Sequence, residues 1–280
     1  MKSTLRRYII YFEGVCALFI RKWTALDARA NLIICHGIGE HSGRYDAFAF
    51  FLTSRGFNVF STDLPGHGLH HGQRGYVDSF DDLKNAVVDL AAAVRKERDE
   101  LPLFLFGHSM GGLIGSRVIE ESPNIFRAAV LSSPHLYSAK ESVKKLLPVV
   151  KLVKKLAPKI TFSSSSRFEP SDLSHNKLAV QRYIDDPYVH DRVSPNLFLG
   201  MEENIEMAFS EAERITIPTM IIIGSDDRVI DPSGARKFYE VLRSEKRFLE
   251  IAEGMHEMFA DEERKDTLFE GVVSFFSEFL

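Results

Sequence analysis

Cysteine is nearly absent: Cys16 and Cys35 are the only two in 280 residues. That excludes a disulfide framework and suits a reducing compartment. Both lie in apolar runs, which reads as two buried core thiols. No apolar run is long enough to cross a bilayer. The N-terminus also lacks the unbroken apolar stretch of about 7–15 residues that a signal peptide needs: Lys2, Arg6 and Arg7 precede apolar residues, but Glu13-Gly14 interrupts them and Arg21-Lys22 follow. The expectation is an unprocessed, soluble, cytoplasmic protein. Nor is there an excess of either charge. Lys and Arg total 35 against 39 Asp and Glu, a net −4, which argues against general nucleic-acid binding while leaving room for a local basic face. The chain is 45 % hydrophobic and 26 % charged, a globular balance that excludes disorder and collagen.

The length fits one large domain, or one domain carrying an insertion. Tyr8–Phe12 and Val15–Ile20 read as two strands joined by a tight Glu-Gly turn. Leu32–Cys35 is a short apolar strand ending in His36-Gly37, Arg44–Arg55 has helical spacing and stops at Gly56, and Phe57–Ser61 is the next strand. After the loop DLPGHGLHHGQRG, Ser79 caps a long helix with Asp82 as its capping-box partner, and Leu83, Val87, Leu90 and Val94 form its apolar stripe. Leu103–Phe106 is a strand, Gly107–Gly112 a sharp turn, Leu113–Glu120 a helix and Ala128–Leu131 a strand. Wholly apolar strands alternating with amphipathic helices predict a mostly parallel central sheet covered on both faces, an α/β fold. From Ser133 to about Glu213 the alternation stops. It resumes with a strand at Pro218–Gly224, a helix begun by Asp231-Pro232, a strand at Arg247–Ile251 and a closing helix at Glu263–Leu280. The organisation is therefore a core of 1–133 and 214–280, interrupted by a mainly helical insertion of 134–213.

The strongest local pattern is Gly107-His108-Ser109-Met110-Gly111, a G-x-S-x-G with a strand before it and a helix after it. So abrupt a reversal strains the backbone at the serine, and side chains on either flank would clash. It also lifts the Ser109 hydroxyl to a helix N-terminus, where free N–H groups favour negative charge. A serine needs a base, and the base an orienting acid; in this architecture the order is Ser, Asp or Glu, His. Past the insertion, Asp226 and Asp227 follow a strand at the edge where such sheets place their sites, and His256 is the only histidine after His190. Either aspartate fits the acid role, the other being a capping or solvent-facing carboxylate. Met110 is expected to give one oxyanion-hole N–H, with the second from the loop His36-Gly37-Ile38-Gly39. His36 reads as a structural residue that locks this loop by hydrogen bonds. His67, His70 and His71 have no nearby carboxylate set to complete a metal site, so none is expected.

Six segments carry a family resemblance: HGIGEHSGRY (residues 36–45), DLPGHGLHHGQRG (63–75), GHSMGG (107–112), LSHNKLAVQRYIDDP (173–187), GSDDRVID (224–231) and EGMHE (253–257). Together the chain resembles the monoacylglycerol lipase, lysophospholipase-like family of α/β-hydrolases. The resemblance implies an α/β-hydrolase fold with a cap and the triad Ser109, Asp227 and His256, since the family pattern puts its aspartate just before the Arg. It implies Ile38 and Met110 N–H groups as oxyanion hole, and Glu40, Arg44, His108 and Tyr183 shaping a polar pocket for the glycerol end. It implies no cofactor, and a single-chain lipid ester as substrate. A lysophospholipid, a short-chain ester or a peptide N-terminus is the alternative substrate; a different alternative is a non-catalytic ligand-binding hydrolase. Ile38 is bulkier than the residue often found there, and Asp226 is a second departure.

The insertion is then a cap over the acyl pocket. Glu141–Leu156 carries Val143, Leu146, Leu147, Val150, Val153 and Leu156 at helical spacing, with lysines elsewhere around it and Pro148 placed to kink it. From His135 to Ile160 there are seven Lys and one Glu. A basic amphipathic helix on an acidic chain reads as a membrane-surface element, peripheral to a bilayer. A helix whose apolar face lines the pocket is a compatible reading.

Overall fold

The computed structural model describes residues 4–12, 15–137, 145–163 and 168–280. Its central feature is an eight-stranded sheet of order β1-β2-β4-β3-β5-β6-β9-β10. These are β1 Thr4–Phe12, β2 Val15–Thr24, β3 Ala30–Cys35, β4 Phe57–Thr62, β5 Leu103–His108, β6 Ala129–Ser132, β9 Thr219–Gly224 and β10 Lys246–Ile251. β2 runs antiparallel to β1 and to β4, and every other neighbouring pair is parallel. The hairpin strands reach further than their apolar stretches suggest, because β2 continues through Arg21–Thr24 to pair with β4, Ile20 opposite Thr62. The Glu13-Gly14 turn lies outside the described residues.

The apolar runs of the parallel strands are buried throughout because they feed two cores, one on each face of the sheet. Side chains alternate across a strand. Ile33, Leu105, Leu131 and Ile221 therefore point to one core, and Ile34, Phe106, Val130 and Ile222 to the other. The first core is closed by α2 Phe80–Arg98, α3 Met110–Glu121, α6 Pro195–Glu211 and α7 Ser233–Val241, and the second by α1 Asp46–Ser54 and α8 Lys265–Ser277. α2 starts with a complete capping box between Ser79 and Asp82, and its stripe Leu83, Val87, Leu90, Val94 is fully buried.

The cap holds α4 Leu147–Leu156 and α5 Lys177–Asp185, with a two-residue antiparallel pair, β7 Phe162–Ser163 and β8 Arg192–Val193, between and after them. Pro148 does not kink a longer helix. It stands in the first turn of α4, where its missing N–H leaves no bond unmade; residues 141–144 lie outside the described residues. α6 falls inside the stretch 134–213, yet Leu197, Met201, Ile205 and Ala208 pack in the first core. On that packing we assign the cap to the chain ahead of Ser194.

A charge cluster centred on the buried Arg117 and Glu120 joins α2, α3 and α6. Arg117 is bonded to Glu120, to Glu121 at 2.9 Å and to Glu211 at 3.0 Å. Lys84 reaches Glu121 at 2.6 Å and Asp81 at 2.8 Å. Burial pushes the Glu120 carboxyl up to about 8 despite Arg117, with Glu211 and Glu121 adding to the rise. A carboxyl whose folded value is raised stabilises fully below its ordinary pKa and loses that contribution as pH climbs through the folded value. The unfolding free energy from urea titrations is expected to fall between pH 5 and pH 9, by on the order of a few kcal/mol. Glu120→Gln should flatten that fall, and an unchanged pH dependence in the variant would refute the assignment.

Candidate active site

The backbone of Ser109 sits at φ 54, ψ −120, a strained conformation for a residue with a side chain. It persists because its neighbours over-determine it. The Ser109 N–H donates to Ser132 O at 3.0 Å, and Ser109 O accepts from the N–H groups of Gly112 (2.9 Å) and His135 (2.9 Å). No side chain fits on either side of the turn. A Cβ on Gly107 would lie 2.4 Å from Gly111 O, and one on Gly111 would lie 2.1 Å from Cys35 O. The G-x-S-x-G spacing is thus a packing requirement between the start of α3 and the end of β3.

Across the carboxyl edge of the sheet, the structure brings Ser109, His256 and Asp227 together. His256 Nδ1 donates to Asp227 Oδ2 at 2.8 Å, which leaves Nε2 to accept the Ser109 hydroxyl at 3.0 Å. All three side chains are buried, Asp227 at 3 % exposure. Asp226 points elsewhere: its side chain is 39 % exposed and pairs with Arg228 at 2.8 Å. The second oxygen of Asp227 accepts from the N–H groups of Ile230 (2.9 Å) and Val229 (3.0 Å). Burial alone would raise this carboxyl. The facing His256, its hydrogen bond and the two N–H groups outweigh burial and hold it below its ordinary value. For His256 the balance is mirrored: burial lowers it, but Asp227 raises it more, with Glu257 and Glu40 adding in the same direction. The result is an imidazole that can hold a proton between two partners.

His36 lies close by and is fully bonded. Its Nε2 accepts the Leu64 N–H at 3.0 Å and its Nδ1 donates to Gly37 O at 2.8 Å. It is buried in the neutral form, its pKa lowered first by that burial. It therefore ties the loops after β3 and β4 together. The Ile38 and Met110 N–H groups donate no hydrogen bond within the described residues.

Glu40, Arg44 and Tyr183 also converge, though not as open groups. Arg44 bonds Glu40 at 2.9 Å and lies over the Tyr183 ring at 4.7 Å. Glu40 Oε1 accepts from the Gly37 N–H (2.6 Å) and the Tyr45 hydroxyl (2.7 Å). The sequence reading missed Glu257, which grips Arg44 with both oxygens at 2.5 and 2.7 Å. The signal was its place directly after His256 in EGMHE, but its partner is 213 positions away. The His108 ring lies tilted 4.8 Å from His256 and edge-on 5.1 Å from Phe259. Burial and the neighbouring His256 push it down to about 3, so it is neutral, and its Nδ1 is buried without a partner among the described residues.

The family model described as serine aminopeptidase, S33, matches residues 27–263. The monoglyceride lipase of Mus musculus is 35 % identical over 243 residues, which is 85 % of this chain and 79 % of that protein. The human monoglyceride lipase is 33 % identical over 252 residues, 88 % and 81 % of the two chains. Among solved structures, a monoacylglycerol lipase from Paleococcus ferrophilus superposes with a TM-score of 0.85 at 32 % identity, covering 94 % of this chain and 99 % of that one.

The geometry makes one demand of Asp227 that an amide would not meet: it must keep the proton on Nδ1 of His256. Asp227→Asn is expected to slow labelling of Ser109 by a fluorophosphonate reagent roughly 10³–10⁴-fold without loss of fold. A labelling rate within about tenfold of wild type would refute that role.

Proposed function

Because the chain belongs to the α/β-hydrolase family described as serine aminopeptidase, S33, as a monoacylglycerol lipase-like member, we propose that it hydrolyses the carboxylic ester of monoacylglycerols through an acyl-enzyme on Ser109. The observation that carries this reading is the unbroken chain of hydrogen bonds from Ser109 through His256 to Asp227. Ser109 Oγ attacks the ester carbonyl as His256 Nε2 takes its proton, and Asp227 stabilises the imidazolium. The N–H groups of Ile38 and Met110 receive the developing oxyanion, each worth about 3–4 kcal/mol in such a site. His256 then protonates the departing glycerol oxygen. A water, deprotonated by the same imidazole, attacks the acyl-enzyme and releases the fatty acid.

An ester is favoured over a peptide N-terminus by the carboxylates near the site. An ammonium would need an uncommitted one, and Glu40 and Glu257 are both bonded to Arg44. Turnover is expected to be fastest on monoacylglycerols in a C8 to C18 series, ahead of lysophosphatidylcholine, p-nitrophenyl butyrate and an aminoacyl amide, and to vanish in Ser109→Ala. Serine-dependent turnover of the short ester alone would overturn the lipid assignment while leaving the nucleophile in place.

The cap supports a lipid substrate delivered from a surface. α4 has two apolar sides: Leu147 and Val150 pack against the first core, while Val149, Leu152 and Leu156 are 58 %, 55 % and 74 % exposed. Ten of the fifteen large apolar residues exposed among the described residues lie in the cap, and the exposed Lys145, Lys151, Lys154 and Lys155 flank those on α4. Such a patch suits insertion into the headgroup layer of an anionic bilayer, and no described helix is long and apolar enough to cross one. Leu152→Glu/Leu156→Glu should lose binding to phosphatidylserine-containing vesicles and lose activity on dispersed monoolein, with hydrolysis of p-nitrophenyl butyrate kept. Vesicle binding equal to wild type would refute the docking.

A further inference from the structure

We propose that Glu257 is a positioning residue for hydrolysis, acting through Arg44 to lock the loop that carries His256 to the loop that carries the Ile38 N–H. The inference rests on the reading of Ser109 and His256 as the reacting pair. Its basis is a continuous path of buried contacts. Glu257 follows His256 in the chain, and both its oxygens are held by Arg44, at 2.5 and 2.7 Å. Arg44 Nη1 also reaches Glu40 Oε2 at 2.9 Å. The other oxygen of Glu40 accepts the Gly37 N–H at 2.6 Å, and Gly37 precedes Ile38. One guanidinium thus joins the loop of the base to the loop of the oxyanion donor.

Two features mark this as a device rather than a surface ion pair. All three side chains are at most 9 % exposed, so leaving any one unpaired is costly. The Arg44 guanidinium carbon also lies over two rings, Tyr183 of the cap at 4.7 Å and Phe259 at 5.8 Å from the centroid. With both terminal nitrogens bonded to carboxylates and two rings packed beside it, Arg44 is committed to the protein rather than to a substrate hydroxyl. The loop of His256 is held at a second point, where the Glu257 N–H donates to Leu173 O at 2.8 Å.

A displacement of either loop by an ångström separates base, nucleophile and oxyanion donor, a scale of error that costs about 10²-fold in rate. The role is therefore one of kcat. A headgroup-binding role for Arg44 would instead be felt in KM. There is also an electrostatic signature. Besides Asp227, the carboxylates acting on His256 are Glu257 and Glu40, both of which raise it, with Arg44 bonded to both and the neutral His108 ring tilted beside it. Removing the Glu257 charge should move the acid limb of the pH profile to lower pH.

The test uses the full chain with monooctanoylglycerol, which has a glycerol end, and p-nitrophenyl butyrate, which has none, alongside fluorophosphonate labelling of Ser109. Glu257→Gln is expected to lower kcat roughly 10- to 100-fold, to change KM by less than about threefold, and to shift the acid limb downward. Arg44→Lys keeps the charge but loses the fork and should show the same kcat loss; it serves equally if Glu257→Gln does not fold. The double variant Arg44→Gln/Glu257→Gln should be no slower than the slower of Arg44→Gln and Glu257→Gln, because one link is broken in each. A raised KM at unchanged kcat on monooctanoylglycerol would make Arg44 a headgroup ligand and overturn the proposal, as would additive losses or an unmoved pH limb. A wild type that labels while the variants label equally fast overturns this inference alone. A wild type that does not label at Ser109 overturns the hydrolase reading with it.

Discussion

The close approach of α3 to the end of β3 constrains everything else at the carboxyl edge of the sheet. Gly111 lies so near Cys35 O and His36 O that no side chain could stand in its place. That contact presses the first turn of α3 against the loop after β3. It goes with the strained backbone at Ser109, and the N–H groups of Ile38 and Met110, which we propose as the oxyanion hole, donate no hydrogen bond within the described residues. His36 then fixes the loop from below with two hydrogen bonds. A preorganised pair of donors needs no rearrangement when charge develops, which is where such sites derive most of their advantage.

The buried charges fall into groups with opposite solutions to one problem. Taking an ion out of water is expensive unless its partners replace the lost hydration. At the active site, Asp227 is met by an imidazole and two N–H groups and stays ionised. Around Arg44, two carboxylates share one guanidinium, Glu257 through both oxygens and Glu40 through one. Behind α3, three carboxylates converge on Arg117, and Glu120 is pushed towards its neutral form. The first two groups hold loops whose positions decide the chemistry. The third holds three helices together, well away from it.

Much of this architecture is legible in the sequence because it is local. The apolar strands, the Ser79 capping box and the G-x-S-x-G turn each depend on residues a few positions apart. The site is legible to the extent that residue type and chain order limit the choices, as they do for His256. Asp226 and Asp227 illustrate the limit: pattern admits both, and what separates them is the direction each carboxylate faces, one to Arg228 and one to His256. Glu257 was invisible for a different reason, since its role depends on Arg44 from the other end of the chain. Arg117, Glu120 and Glu121 have the spacing of an ordinary solvent-facing ion-pair ladder, and only tertiary packing buries Arg117 and Glu120. Pro148 shows that a proline can begin a helix as readily as bend one.

The order of the sheet has a consequence for how the molecule is made. β9 lies between β6 and β10, yet it follows the whole cap in the chain. While the protein is being synthesised, the N-terminal strands through β6 emerge first and leave the edge of β6 unpaired, an adhesive surface. The apolar, lysine-rich helix of the cap appears next, before the strand that will close that edge. Asp227 and His256 come later still, so the hydrogen-bonded partners of Ser109 join it only after β9 and β10 have been made. A lipid-cleaving centre assembled last is silent during the interval in which its own apolar cap is least protected, and that interval is when a nascent chain depends most on chaperones.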